Sequence, residues 1–316
     1  MINKIIRLLK RVKEDPKKIV IYGLLVAGKI LPDKWYLQLQ WWAHTGNRLH
    51  LQHPQGFNEK LQWLKLYNRR PEYTALADKY TVRNFITKTI GKEYLIPLLG
   101  VWENANDIPF DTLPNQFVLK CTHNSGEGMC LCKDKKRLNI PLVKHNLQQA
   151  LRKNYYYNSR EWPYKHIKPR IIAEHFLIDT TPDNTLGTLI DYNFYCFNGE
   201  PKFLYVGADD ISQGIKGELR LSVLDLDWKP VAFRRPDHQP LPIFPQKPAQ
   251  LDTMIKIARQ LSRHIPFVRV DLYEVNGQVF FSELTFYPAA GYGLFSPATW
   301  ENTIGSWLSL PPRVQG

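Results

Sequence analysis

Residues 268–286 read VRVDLYEVNGQVFFSELTF and set Arg269, Asp271, Glu283 and Thr285 on two strands joined at Asn276 and Gly277. Whether the four meet depends on the turn. A two-residue loop puts Asp271 opposite Ser282 and Glu283 opposite Val270, on the other face. A three-residue loop with Gly277 in a left-handed bulge puts all four on one face. The three-residue register is expected, because it alone leaves a mostly apolar set (Val270, Leu272, Phe280, Ser282, Leu284) on the other side. Two carboxylates on one face repel by about 4 kcal/mol at ~4 Å in an effective dielectric near ~20, so a cation should join them. Carboxylate and hydroxyl oxygens suit Mg²⁺, which binds through one or two carboxylates plus substrate phosphates. The plain alternative is a solvated hairpin with incidental charges.

Upstream, Lys120 ends an apolar strand and is followed by His123, Asn124, Ser125, Gly126, Glu127 and Gly128. Successive amides in such a loop can cradle phosphate oxygens above a strand lysine. Glu174, between IIA and the apolar Phe176 and Leu177, fits a linker at the edge of an adenine ring. Arg160, Trp162, Tyr164, Lys165, Lys168 and Arg170 interleave aromatics with cations, so Arg160, Trp162 and Arg170 are candidates to stack a sugar and pair its carboxylate; a core-and-rim role explains them equally well. The scattered histidines are assigned no catalytic role.

These groups need scaffolding. From Phe57 to about Ile90 the spacing is helical, with Asn58 as a cap and Pro71 opening a helix that carries Leu76, Tyr80, Val82 and Phe85. After Asp107 the period becomes strand-like: FVLKC, a glycine-containing loop, then MCLCK. Residues 138–153 read as helix, RIIAEHFLI as a strand, DYNFYCF with PKFLYVGA as a hairpin around Asn198 and Gly199, and 230–248 as a proline-rich loop. Helices and antiparallel strands alternate irregularly, which predicts an α+β fold. The expected organisation is a basic helical arm (1–56), a helical support (57–110), and two α+β units (111–178 with the phosphate loop, 179–316 with the metal site).

The chain has 316 residues, 44% apolar and 22% charged, enough for a substantial core and incompatible with dominant disorder. A net charge of +13 favours anionic partners. Residues 1–18 alone hold seven Lys and Arg against Glu14 and Asp15, and Ile2, Ile5, Ile6, Leu9 and Val12 share one helical face, a pattern that suits either an anionic membrane surface or packing on the body. The apolar run from Ile19 to Gly28 is too short to span a bilayer and lacks a signal-peptidase site. Cys121, Cys130, Cys132 and Cys196 form no zinc or redox spacing and read as reduced thiols of a cytoplasmic protein.

Order and spacing together say more than any one segment. A lysine at 79, a strand lysine and small-residue loop near 120, an acidic hinge near 174 and the D-x11-E-x-T ending resemble the ATP-grasp superfamily. FNEKLQWLKLYNRRPEYTALADKYTVR, LPNQFVLKCTHNSG, REWPYKHIKPRIIAEHFL, DYNFYCFNGEPK and FVRVDLYEVNGQVFFSELTFYPAAG resemble its TupA-like family, named for teichuronopeptide synthesis. The likeness covers about residues 55 to 310. It implies an ATP-grasp fold, two α+β subdomains clasping ATP, preceded by a helical amino-terminal region. It further implies that Lys79 and Lys120 contact phosphates beneath a closing loop from His123 to Gly128, with His123, Asn124, Ser125 and Gly126 at the nucleotide, Glu174 and Leu177 bordering adenine and Asp191 at the ribose. Asp271, Glu283 and Thr285 would hold Mg²⁺, and Arg269, with Lys120, would stabilise charge during transfer. Thr285 stands where the superfamily often has Asn, which keeps an oxygen ligand. Asn193 stands where the family commonly has Lys, which removes a cation near the phosphates.

The resemblance implies a carboxylate–amine ligase that phosphorylates a carboxylate and lets an amine displace the phosphate, with a uronic-acid-bearing glycan and an amino acid as substrates. Three alternatives stay open. An ATP-grasp kinase would use the same nucleotide site. A glycosyltransferase would need a metal motif such as Asp225 and Asp227 in LDLDW. A nucleic-acid binder would use the charge, but no recognition helix or zinc finger is visible.

Overall fold

A computed structural model describes residues 17–181, 188–209 and 219–313. The amphipathic reading of Ile2 to Val12 lies outside these residues. Five helices come first: α1 (Lys18–Ala27), α2 (Asp33–Thr45), α3 (Phe57–Tyr67), α4 (Glu72–Ala77) and α5 (Val82–Thr89). The continuous helix expected after Pro71 is broken between α4 and α5. Asp78 takes an extended conformation and its Oδ1 accepts the Tyr80 N–H at 3.0 Å, a local bond that competes with the helical ladder. Lys79 sits in this break.

Asn58 does not cap α3 with its own side chain. Glu301, from α9 (Trp300–Trp307), accepts the Asn58 N–H at 2.6 Å and the Asn58 side-chain amide at 2.8 Å, so the orphan donor is met from across the molecule.

Two antiparallel sheets follow. The first contains β1 (Leu98–Trp102), β2 (Phe117–Cys121), β3 (Cys130–Cys132) and β4 (Ile171–His175) in the order β1-β4-β2-β3. Its edge strand β1 comes from the stretch expected to be helical support. Helix α6 (Ile140–Leu151) covers one face, burying Leu147 and Ala150 against Phe117, Leu119, Ile171 and Ala173. A single turn, α7 (Tyr156–Ser159), leads toward β4.

The second sheet contains β5 (Asp191–Phe197), β6 (Glu200–Asp209), β7 (Leu219–Asp225), β8 (Phe267–Val275) and β9 (Gln278–Thr285) in the order β7-β6-β5-β8-β9. Its hairpin at Asn198 and Gly199 turns through two left-handed residues, as those residue types predict. Helix α8 (Leu251–Ser262) packs beneath it through Leu251, Met254, Ile257, Ala258 and Leu261. The larger core joins this sheet to α2, α3 and α4, with Phe57 ringed by Tyr195, Phe197, Phe267 and Phe295. Among the described residues no helix is long and apolar enough to cross a membrane, and all four cysteines are free thiols.

Candidate active site

The β8–β9 hairpin brings its acids together by a different route from the one expected. The turn has two residues, with Asn276 and Gly277 both left-handed and Val275 paired to Gln278, so the three-residue loop is wrong. The parity is corrected further along, where a bulge separates Leu272↔Phe281 from Asp271↔Glu283 and leaves Ser282 as the extra residue. Asp271 therefore faces Glu283, and Arg269 faces Thr285, while Val270, Leu272, Phe281 and Leu284 are buried on the other side.

The acids are held by cations. Arg269 grips Asp271 through two bonds of 2.7 and 2.5 Å and reaches Thr285 Oγ1 at 3.2 Å. Thr285 Oγ1 in turn donates to Glu283 Oε1 at 3.1 Å. Lys79 Nζ lies 2.9 Å from Glu283 Oε2 and donates to the Asn124 carbonyl at 3.1 Å, tying this acid to the loop after β2. The positive charge of Lys79 lowers the Glu283 pKa to about 2, whereas burial raises that of Asp271 to about 6 against the pull of Arg269.

The loop from Asn124 to Glu127 forms the opposite wall. Ser125 and Gly126 are exposed, Gly126 is left-handed, and a side chain there would meet nothing within 4 Å. The Asn124 Oδ1 atom is buried with no hydrogen-bond partner and thus needs a ligand or solvent. Lys120 reaches from β2 to Glu174 Oε2 at 2.9 Å, and Arg83 holds Glu174 Oε1 at 3.2 Å. Leu177 follows β4, half-buried.

A cavity of about 470 Å³ between the two sheets is lined by Lys79, Lys120, the 124–127 loop, Asp191, Arg269, Asp271 and Glu283. Asp191, half-buried on β5, has its pKa raised to about 7 by burial and by the charge of Asp271. Asn193 lies directly between Asp271 and Tyr205 in the sheet. A larger groove of about 690 Å³, lined by Arg259, Arg263 and His264, contains none of these residues.

Other expectations need correction. Arg160 is only 1% exposed, so it cannot meet a sugar. Its guanidinium lies 2.8 Å from Asp33, hydrogen-bonds the Gly28 carbonyl and stacks on Tyr36. Trp162 is half-buried beneath Arg69 and Lys165, and Arg170 pairs with Asp78; neither lines the cavity. The His123 ring is buried behind the loop against the Ala150 carbonyl, outside the cavity lining. Asp225 Oδ1 accepts the N–H groups of Asp227 and Lys229 and so closes a turn.

The sequence reading did not single out Tyr195, Tyr205, Tyr273, Ser282, Arg235, His238 and Ala289, which also line the cavity. Strand alternation from Asp191 through Asn193 reaches Tyr195 and was available as a signal. Arg235 and His238 arrive on the proline-rich loop and carried none.

The oxygens of Asp271, Glu283 and Thr285 suit a hard cation that completes its shell with phosphate oxygens. Among the described residues no group of three or more His, Cys, Asp or Glu is placed to hold a metal ion. Solved structures of similar shape include D-alanine–D-alanine ligase from Helicobacter pylori (14% identity, covering 74% of this chain and 61% of that one, TM-score 0.39). Another is the Bacillus anthracis D-alanine–D-alanine ligase (13%, 67% and 57%, TM-score 0.40). A third is the ATP-grasp ligase PsnB, solved with its minimal precursor, Mg and ADP (12%, 72% and 57%, TM-score 0.37). The chain spans less than two thirds of the length of each. No curated protein matches it. The family profile described as TupA-like ATPgrasp matches residues 59–309, including every lining residue of the cavity between the sheets. The fold is an ATP-grasp fold, whose enzymes use ATP with Mg²⁺, and the chain belongs to the TupA-like ATP-grasp family.

Proposed function

We propose that this protein is an ATP-dependent carboxylate–amine ligase. The observation that carries the proposal is the link Asn124–Lys79–Glu283, which couples a phosphate-loop carbonyl to a metal-site acid across one cavity. Asp271, Glu283 and Thr285 would hold Mg²⁺, which when bound screens the charge of the phosphates. Lys79 and Lys120 would neutralise phosphate oxygens, and the backbone amides of the exposed residues Ser125 and Gly126 would face them. Glu174 and Leu177 would border the base and Asp191 the ribose. Arg269 lies beside the acids, where it would stabilise charge as a substrate carboxylate takes the γ-phosphate.

The carboxylate oxygen forms a bond to the γ-phosphorus as the bond to ADP breaks. An amine then attacks the acyl carbon, phosphate leaves, and the amine loses a proton. No covalent protein intermediate is needed, since positioning and charge stabilisation supply the catalysis. We infer a uronic acid of a surface polysaccharide or its precursor as the carboxylate, an amino acid as the amine, and a cytoplasmic site of action, where ATP is at hand.

The test is to incubate the protein with MgATP, a uronate-bearing glycan and pooled amino acids. ADP together with a glycan heavier by one amino acid less water supports the ligase. A glycan heavier by phosphate without any amine requirement points to a kinase instead.

A further inference from the structure

The amino-terminal helices lie before the family match at 59–309, yet they are fixed to the body. Asp33 at the start of α2 binds Arg69, Arg160 and Tyr156, and the Tyr36 hydroxyl donates to the Asn158 carbonyl at 2.8 Å. Tyr36, Leu37, Gln40, Trp41 and Ala43 form the buried face of α2.

The opposite face is also apolar. Trp35 is 65% exposed, Leu39 41% and Trp42 44%, at helical spacings of four and three that place them on one stripe. Helix α1 and the turn after it carry a second stripe, with Ile19 61%, Val26 84% and Ile30 86% exposed. Six of the fifteen large hydrophobic residues exposed among the described residues thus come from 24 consecutive positions. Such clustering marks a surface that meets another phase or molecule.

Charge identifies the occupant. Residues 17–58 contain five Lys and Arg (Lys17, Lys18, Lys29, Lys34 and Arg48) against one acid, Asp33, which is spent on internal partners. Lys34, next to Trp35 on α2, and Arg48, three residues beyond its end, are exposed. Exposed indoles with aliphatic side chains and surrounding cations are the composition that binds at the headgroup boundary of an anionic bilayer. A glycan would be stacked by aromatics, and the fully aliphatic stripe of α1 gives it nothing to stack on. We propose that the outward faces of α1 and α2 seat this protein on an anionic membrane surface. This proposal stands apart from the ligase proposal, because none of its residues lines the cavity.

Full-length protein is sedimented with vesicles of phosphatidylcholine alone and of phosphatidylcholine with phosphatidylglycerol, without nucleotide, and quenching of tryptophan fluorescence by brominated acyl chains is read on the same samples. The expected result is binding and quenching with the anionic vesicles only. The combined variant Trp35→Gln, Leu39→Gln, Trp42→Gln should lose about tenfold or more of this binding while keeping its affinity for MgATP. Val26→Gln with Ile30→Gln should act in the same direction, and quenching of the wild-type protein tests the contact should either variant misfold. Absence from both pellets overturns the proposal. So does undiminished binding by both variants, which assigns the contact to residues 1–16, or wild-type self-association that the variants abolish, which makes a second copy the occupant. A fluorescence response to polyuronate in place of lipid overturns it too.

Discussion

Asp271 and Glu283 stand directly opposite each other because Ser282 bulges out of β9. Were Ser282 paired in register instead of bulged, the two-residue turn at Asn276 and Gly277 would set Glu283 against Val270, inside the apolar layer. The bulge restores a shared polar face one turn of pleat before the acids are needed, which fits the frequent use of bulges to re-aim side chains beside active sites.

Glu283→Gln keeps the shape of the site but removes one charge from the proposed Mg²⁺ ligands. Affinity for ATP in the presence of Mg²⁺ should fall about tenfold or more, with a smaller change when Mg²⁺ is omitted. Titration calorimetry with and without the metal measures the difference; equal losses under both conditions would remove Glu283 from the metal site.

Binding of the magnesium nucleotide should weaken as pH falls through about 6, because burial raises the Asp271 pKa to about 6 and its protonated form cannot face a cation. Asp191, at about 7, begins to protonate earlier, whereas Glu283, held near 2 by Lys79, stays ionised throughout. Below pH 6 the affinity should decline by roughly tenfold per pH unit for one controlling carboxylate. Lys79 also lowers the Asp271 pKa, so replacing it by Met should move the decline to higher pH.

Arg160→Met tests the corrected assignment of that residue. It removes one of three partners of Asp33, with Arg69 and Tyr156 remaining, together with the bond to the Gly28 carbonyl, at a cost of about 1–3 kcal/mol that is visible as a lower unfolding temperature. Any activity that survives at low temperature should keep its substrate KM. A raised KM in a stably folded variant would return Arg160 to the substrate.

Glu301 gives a separate pH signature. Burial raises its pKa from 4.5 to about 7, although Asn58 hydrogen-bonds oppose the shift. The folded state thus binds this proton more tightly than the unfolded one, and its contribution makes the protein more stable as pH falls from about 7 to 4.5. Glu301→Gln should flatten that part of the stability profile while still accepting the Asn58 backbone N–H. Denaturant titrations across this range, with an unchanged slope in the variant, would argue against Glu301 as the titrating group.

Much of the fold was readable because local patterns and tertiary structure agree. The hairpins at Asn198–Gly199 and Asn276–Gly277, the strand and loop around Lys120, and the helix near 140–151 each follow from residue type and period. Strand β1 was missed because LLGVW is short and lies at an edge, and its partner β4 is some 70 positions away. Helix α8 shows apolar residues at regular helical spacing, a signal that was present and unused.

The candidate residues for phosphate and metal, and the family to which the chain belongs, could be read from the sequence, because a motif's identity and spacing survive without coordinates. Which cations stay free to meet a substrate was decided only by the tertiary structure. Arg160 and Arg170 read like surface arginines, yet long-range packing spends one on Asp33 and the other on Asp78. Lys79, in a break between helices, is delivered to Glu283 from more than 200 residues away. The one-residue bulge at Ser282 was equally invisible, since strand alternation fixes parity only while the ladder stays regular, and cross-strand packing chooses where it slips.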